Sequence, residues 1–186
     1  MSGLVPSIVQ RQLYVLVKAL LATVTGLDPS LVLQGLPNRA AMPPASPGFV
    51  TMQLTRGQRL NTNIDTWDPT DPAPTEIESE THWQERMQID FYGTASGDWS
   101  RVVAGLWRDE YTCLALAGAG GLANPTSQPL YHEEPMLAPL DDDEKQYEQR
   151  WTMQAYLQYN PVTSIPQDFA SSLSVTLINV DEAYPP

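Results

Sequence analysis

Carboxylates and a histidine gather in the second half of the chain, where they could act as ligands for a divalent cation. His132, Glu133 and Glu134 come first, and the acidic run Asp141-Asp142-Asp143-Glu144 follows shortly after. Hard cations such as Ca²⁺ prefer oxygen donors of this kind. The cluster nevertheless lacks the fixed ligand spacing and the central glycine of a calcium loop, and such runs are usually solvated turns. We therefore expect no metal site.

A catalytic reading would also need a nucleophile, a base and an orienting group. The chain contains no P-loop, no dinucleotide-binding glycine pattern, no His-Glu-x-x-His and no Gly-x-Ser-x-Gly. The glycine-rich run at 117–121 follows a predicted helix, so it cannot present a helix N-terminus to a phosphate. His82 falls on the polar face of a predicted strand, and Cys113 suits a small buried thiol. We expect neither an enzyme nor a bound cofactor.

Composition narrows the class of protein further. The 186 residues fit one domain, 1–186, and the single cysteine excludes an internal disulfide. A net charge of −12 with only 10 Lys and Arg argues against gripping nucleic acid. The apolar stretch 13–21 contains Lys18 and is too short to span a bilayer. A charged fraction of 17% indicates a surface that partly meets other subunits, and the single cysteine suits a protein that folds in a reducing cytoplasm.

Two helices are predicted. The first covers about residues 6–25, ends at Gly26, and carries one apolar stripe: Val9, Leu13, Leu16, Leu20 and Val24. The second is capped by Ser96 or Asp98 and ends near Gly118. Its predicted buried side comprises Trp99, Val102, Val103, Leu106, Trp107 and Leu114.

Strands account for most of the remaining chain. Alternation predicts strands at 49–60, 81–92, 147–159 and 173–178. A weaker strand is predicted at 31–36, a short apolar stretch between two prolines, and another within 128–146. In the strand at 81–92, Trp83, Met87, Ile89 and Phe91 would share the buried face. The polar far end of 49–60 is expected to project as a loop or hairpin arm, and the proline-rich segment 66–75 as an exposed excursion carrying Trp67. The fold class is α+β, a mostly antiparallel four- to five-stranded sheet with two main helices on one face.

Several blocks in a fixed order resemble the bacteriophage neck-terminator, or tail-terminator, family of long-tailed phages. Together they span about residues 31–186. They are Gln34-Gly35-Leu36-Pro37-Asn38-Arg39, Gly48-Phe49-Val50-Thr51-Met52, Arg59 to Thr66, Gln88 to Gly93 with Asp98-Trp99, Leu106 to Tyr111, Gln146 to Trp151, Leu157 to Val162, Pro166 to Ala170, Asn179-Val180-Asp181 and Tyr184-Pro185-Pro186.

The resemblance implies a structural virion protein that caps the tail tube and joins tail to head. Its relatives act as a hexameric ring around a central DNA channel. The expected partners are further copies of the chain, the tail tube protein, the sheath protein of a contractile tail and a head-tail connector, while genomic DNA passes without specific binding. The alternative is a head-completion or connector ring at the portal side of the neck.

Site residues follow from combining this resemblance with the pattern of the chain. Exposed tyrosine and asparagine blocks and long arms suit contacts between subunits. The candidate interface residues are Asn38, Arg39, Asn61, Asn63, Trp67, Tyr159 and Asn160. An acidic channel wall would repel DNA and keep it mobile, so the candidate channel-facing residues are Asp141, Asp142, Asp143 and Glu144.

Overall fold

A six-stranded sheet forms the centre of the computed structural model, which describes residues 4–35, 43, 46–68, 70, 76–118, 127–138, 140–141 and 147–167. The helices are α1 (Gln10–Thr25), α2 (Ser96–Leu106) and α3 (Glu110–Gly118). The strands are β1 (Val32–Gln34), β2 (Phe49–Arg59), β3 (Ile64–Thr66), β4 (Glu76–Glu80), β5 (Trp83–Tyr92), β6 (Ser127–His132), β7 (Met136–Leu137), β8 (Leu140–Asp141), β9 (Tyr147–Glu148), β10 (Arg150–Tyr159) and β11 (Val162–Pro166).

The main sheet has the order β1-β2-β5-β10-β6, with β7 also pairing with β10. Only the pairing of β1 with β2 is parallel among its described pairs; the others are antiparallel. The three long central strands β2, β5 and β10 lie side by side over about their whole length. The predicted α+β class with a mostly antiparallel sheet is therefore confirmed.

Alternation along the central strands separates a buried face from a polar face, as the sequence predicted. Met87, Ile89 and Phe91 of β5 are fully buried, next to Met153 and Leu157 of β10. These residues join one hydrophobic cluster with Leu13, Leu16 and Leu20 of α1 and with Trp107, whereas Val9, expected in the same stripe, is exposed. Burying such side chains contributes about 1.5–3 kcal/mol each relative to leaving them exposed. The helices therefore cover one face of the sheet.

The first helix starts later than predicted. It begins at Gln10, with Val9 as its N-cap, and ends where Gly26 adopts a φ of +70°. Ser7 instead pairs with β11: its amide donates to the Val162 carbonyl at 2.8 Å, and the Val162 amide donates to Ser7 Oγ at 2.9 Å. Residues 7 and 8 form a bend, and only Val9 directly before the helix is extended. None of the helices described could span a membrane.

The predicted second helix is two helices, which is a correction to the expected pair. The chain breaks at Trp107 to Asp109, and the Asp109 side chain then accepts the Tyr111 amide at 2.9 Å, which starts α3 anew. Neither Ser96 nor Asp98 caps α2, whose N-cap is Ala95. Val102 and Leu114 are 48% and 64% exposed, so both were wrongly placed on the buried side.

The polar far end of β2, expected to project as a loop or hairpin arm, is strand and not loop. It stays paired with β5 as far as Arg59, which lies opposite Trp83, after a bulge between Leu54 and Arg56. A separate three-stranded sheet of order β11-β4-β3, here called the arm, follows at the start of β5. The weaker strand at 31–36 is confirmed in shorter form as β1, and the one predicted at 173–178 lies outside the described residues.

Candidate interaction site

The sheet face opposite the helices carries three rows of polar side chains across β2, β5 and β10. Gln53, Gln88 and Gln154 form one row in register. A second row of amides consists of Gln58, Gln84 and Gln158. Between the two lies a row of different character, formed by Arg56, Arg86 and Tyr156. None of these nine side chains is buried, so the face is available to a partner.

Two glutamines of the first row, Gln88 and Gln154, form hydrogen bonds within the protein. Gln154 Nε2 donates to Gln88 Oε1 at 3.3 Å, and Gln88 Nε2 donates to Asp90 Oδ2 at 2.9 Å. Arg150 Nη2 donates to the other oxygen of Asp90, Oδ1, at 3.0 Å. Asp90, only 8% exposed, therefore has a cationic partner and an amide donor. This end of the face has a structural role.

The middle row opens into a cleft of about 160 Å³ lined by Arg56, Gln58, Gln84, Arg86, Tyr131 and Tyr156, here called the arginine cleft. Tyr131 and Tyr156 stack with ring centroids 4.2 Å apart and form one wall. Gln84 Nε2 donates to the Tyr131 hydroxyl at 2.9 Å, and Arg86 Nε donates to Gln154 Oε1 at 3.1 Å. These bonds hold the cleft's planar groups in place.

One carboxylate lies at the rim of the arginine cleft. Glu133 Oε1 accepts the Tyr156 hydroxyl at 2.8 Å and lies 3.9 Å from Arg86 Nη2. The hydrogen bond to Glu133 raises the pKa of Tyr156 because it holds the phenol in its protonated form. The cleft thus presents guanidinium, amide and phenol donors. A guanidinium is a cationic hydrogen-bond donor, so this lining is suited to anionic groups.

Two of the predicted interface residues lie between β2 and β3 and take part in a polar network. Asn61 Nδ2 lies 3.0 Å from His82 Nδ1, and His82 Nε2 lies 2.9 Å from Glu80 Oε1. Asn63 accepts a hydrogen bond from Arg59 and donates to Ser79 Oγ at 3.0 Å. These asparagines fasten the arm to the main sheet. Trp67, just beyond β3, is 58% exposed.

The other predicted site residues are scattered. Tyr159 is 7% exposed on the helix-covered face, so the expectation that it is exposed was wrong, while Asn160 accepts a hydrogen bond from Gln158 at 3.0 Å. Asn38, Arg39, Asp142, Asp143 and Glu144 lie outside the described residues, and Asp141 is described only as backbone in β8, opposite Tyr147. Within the described ranges, no three His, Cys, Asp or Glu side chains are placed to hold a metal.

Sequence reasoning missed the arginine cleft. Alternation placed Gln84 and Arg86 on the polar face of β5, which was a usable signal. Their neighbours on β2 and β6 depend on strand pairing that no local pattern specifies. The cleft could be identified only once the register of the sheet was known.

Comparison with known families decides the class of protein. A family model described as phage neck terminator protein matches residues 11–181, from the second residue of α1 to beyond β11. The chain belongs to this family. As a phage neck terminator, it is a structural component of the neck of the virion, and the resemblance found in the sequence blocks is confirmed. A search among curated proteins gives no match.

The neck terminator also buries one carboxylate on the helix-covered face. Glu85 is 3% exposed, and its Oε1 lies 3.5 Å from the hydroxyl of Tyr159, which donates to it. A Cβ on Gly57 would lie 2.8 Å from the same oxygen, so the glycine leaves room for the carboxylate. Burial raises the pKa of Glu85 despite hydrogen bonds from Tyr159 and Gln10, and burial next to Glu85 raises the pKa of Tyr159 to about 12.

Replacing Glu85 with glutamine is expected to make stability less dependent on pH. Because the pKa of Glu85 is raised in the folded state, neutral Glu85 contributes to the free energy of unfolding, and this contribution is complete below the ordinary pKa of 4.5. The contribution is lost as the pH rises through the pKa that Glu85 has in the folded protein. Glu85→Gln should therefore raise the free energy of unfolding more at about pH 7 than at about pH 4. Urea denaturation at both pH values measures this. Glu134→Gln, at an exposed position, is the control, and an equal effect of Glu85→Gln at both pH values would contradict the expectation.

Proposed function

We propose that this chain terminates the tail tube and joins the tail to the filled head as one subunit of a hexameric ring. The match to the neck terminator family over residues 11–181 carries the proposal. The described part of the fold agrees with this proposal, because the polar face of β2, β5 and β10 forms an open surface that contains the arginine cleft. An open surface with exposed arginine and tyrosine side chains is suited to contact with other proteins.

The ring surrounds a channel through which the genome leaves the head. Each subunit carries a net charge of −12, and a channel lined by part of this charge repels the phosphate backbone. The acidic segment 141–144 is proposed to face the channel. It begins at the end of β8, which pairs with β9 just beyond the segment, so paired strands flank it on both sides. A wall of this kind lets DNA slide without holding it.

The outer contacts of the ring are proposed to involve the tube protein, a head-tail connector and, in a contractile tail, the sheath. Trp67 is suited to such a contact because a large exposed indole buries much area at low entropic cost. Asn38, Arg39, Asn61, Asn63 and Asn160 are proposed to lie near contacts between subunits. Assembly takes place in the cytoplasm of the bacterial host.

Tail morphology in phage that lack this chain tests the proposal. We expect heads without tails together with tails of abnormal length, because no subunit caps the growing tube. Electron microscopy of lysates measures tail length, and expression of the wild-type chain should restore normal virions. Detached tails of normal length would instead identify a connector at the portal side of the neck.

The same complementation experiment distinguishes a role in the DNA channel from a role in capping the tail tube. A chain with Asp141, Asp142, Asp143 and Glu144 replaced by lysine should restore tail length but slow DNA ejection, since a basic wall holds phosphates. Ejection is followed by release of a fluorescent DNA-binding dye. Unchanged ejection kinetics would show that these residues lie away from the channel.

A further inference from the structure

The arginine cleft contains two like charges on neighbouring strands. Arg56 and Arg86 lie directly opposite each other in the pairing of β2 with β5. Like charges in this position destabilise a sheet unless a counter-charge is present. Arg86 has Glu133 at 3.9 Å, whereas Arg56 is exposed and has no ion pair or hydrogen bond within the described parts of the chain. The cleft therefore retains an unbalanced positive charge on an acidic protein.

The geometry of the cleft favours carboxylates as its ligands. A guanidinium presents two parallel N–H donors that match the two oxygens of one carboxylate. The stacked Tyr131 and Tyr156 form an aromatic wall next to Arg86, whose guanidinium carbon lies 6.0 Å from the Tyr156 ring centroid. The cleft volume of about 160 Å³ can hold a few side chains but is too small for a helix or a strand. Because the two arginines are neighbours, a ligand with two carboxylates on one extended segment could pair with both.

The arm of the same chain offers such a segment in β4. Glu76 and Glu78 are exposed and, among the described residues, have no ion-pair partner. They are two residues apart on a strand, so both side chains point to the same side and start about 7 Å apart. Arg56 and Arg86 start about 5 Å apart, and their long side chains bridge the difference.

We propose that Arg56 and Arg86 of one subunit bind Glu76 and Glu78 of an adjacent copy of this chain. Each subunit then uses its cleft on one side and its arm on the other. A contact between two different surfaces of the same chain is heterologous and closes into a ring when the rotation permits. The inference rests on the proposed ring and supplies the residues of one contact within it.

Paired charge reversals test the contact. Variants R56E/R86E and E76R/E78R of the full chain are purified, and self-association is measured by sedimentation velocity, both alone and with tails from phage lacking the chain. Each variant alone should associate at least about tenfold more weakly than the wild type, since close charge pairs couple by more than 1.4 kcal/mol. A one-to-one mixture should recover association, because every contact in an alternating ring then pairs arginine with glutamate.

The mixture also controls for folding, since misfolded chains would not recover. R11E/R108E is the matched control: it makes the same change in net charge at two exposed arginines outside the cleft and should associate like the wild type. If the wild type assembles and both variants associate as strongly as it does, the inference is wrong, while the proposed ring is not contradicted. A wild type that assembles neither in solution nor on tails would overturn both. If R56E/R86E binds tails more weakly than the wild type while E76R/E78R does not, the cleft binds a different partner and the inference is wrong.

Discussion

Replacing Trp107 with alanine is expected to lower the free energy of unfolding by about 3–5 kcal/mol. Trp107 is fully buried between the helices and the sheet, and its indole N–H donates to the Tyr156 carbonyl at 3.1 Å. The substitution leaves a cavity in the core and removes this hydrogen bond. The loss is a large share of the 5–15 kcal/mol that typically stabilises a domain. Urea denaturation followed by far-UV circular dichroism measures it.

Trp67→Ala is the matched control for this prediction. Trp67 is 58% exposed, so its removal should change stability by no more than about 0.5 kcal/mol. Equal losses for the two variants would mean that Trp107 does not occupy the core position described. The location of Trp107 also matters for the arginine cleft, because it bonds the backbone of the tyrosine that forms the cleft wall.

Replacing Gly48 with alanine is expected to cost about 2–4 kcal/mol, from an unfavourable φ together with overpacking. Gly48 has a φ of +104°, and a Cβ there would lie 2.5 Å from the Tyr92 carbonyl oxygen. That oxygen belongs to the backbone and cannot turn away. The strain would fall at the start of β2, where the rings of Phe49 and Tyr92 stack at 4.4 Å. The midpoint of urea denaturation should shift to lower concentration.

Gly105→Ala provides a control of opposite sign. Gly105 lies in α2, and a Cβ there would meet nothing within 4 Å. Gly105 is in the last turn of this helix, where alanine is favoured over glycine by up to about 0.5–1 kcal/mol, so this variant should be more stable than the wild type. A Gly48→Ala variant that is as stable as Gly105→Ala would show that the chain does not approach Tyr92 as described.

The bulge in β2 links the core to the arginine cleft. Without it, strict alternation would place Arg56 on the same side as Met52 and Leu54, facing the helices. The bulge between Leu54 and Arg56 shifts the pairing by one residue, so Arg56 joins Arg86 on the polar face. The same shift puts Gly57 opposite Glu85, where a larger residue would clash with the carboxylate. One irregularity thus permits both the buried acid and the cleft.

The sequence by itself determined the family and the faces of the long elements. The ordered blocks from residue 31 onward indicated the neck terminators, and the alternation in 81–92 placed Met87, Ile89 and Phe91 in the core. Both signals are local, because they depend on residue identity and on the two-residue period of a strand. The break after Trp107 was not predicted, because the apolar spacing continues through it while Asp109 restarts the helix.

Only the tertiary structure decided which polar residues meet. Alternation fixes the face on which Arg86 lies, but sliding a partner strand by two residues keeps every face unchanged and replaces every neighbour. The register of β5 with β2 and β10 is set by packing of the whole core and by the bulge, which no single segment encodes. The juxtaposition of Arg56, Arg86 and Tyr156 is therefore a property of the assembled sheet.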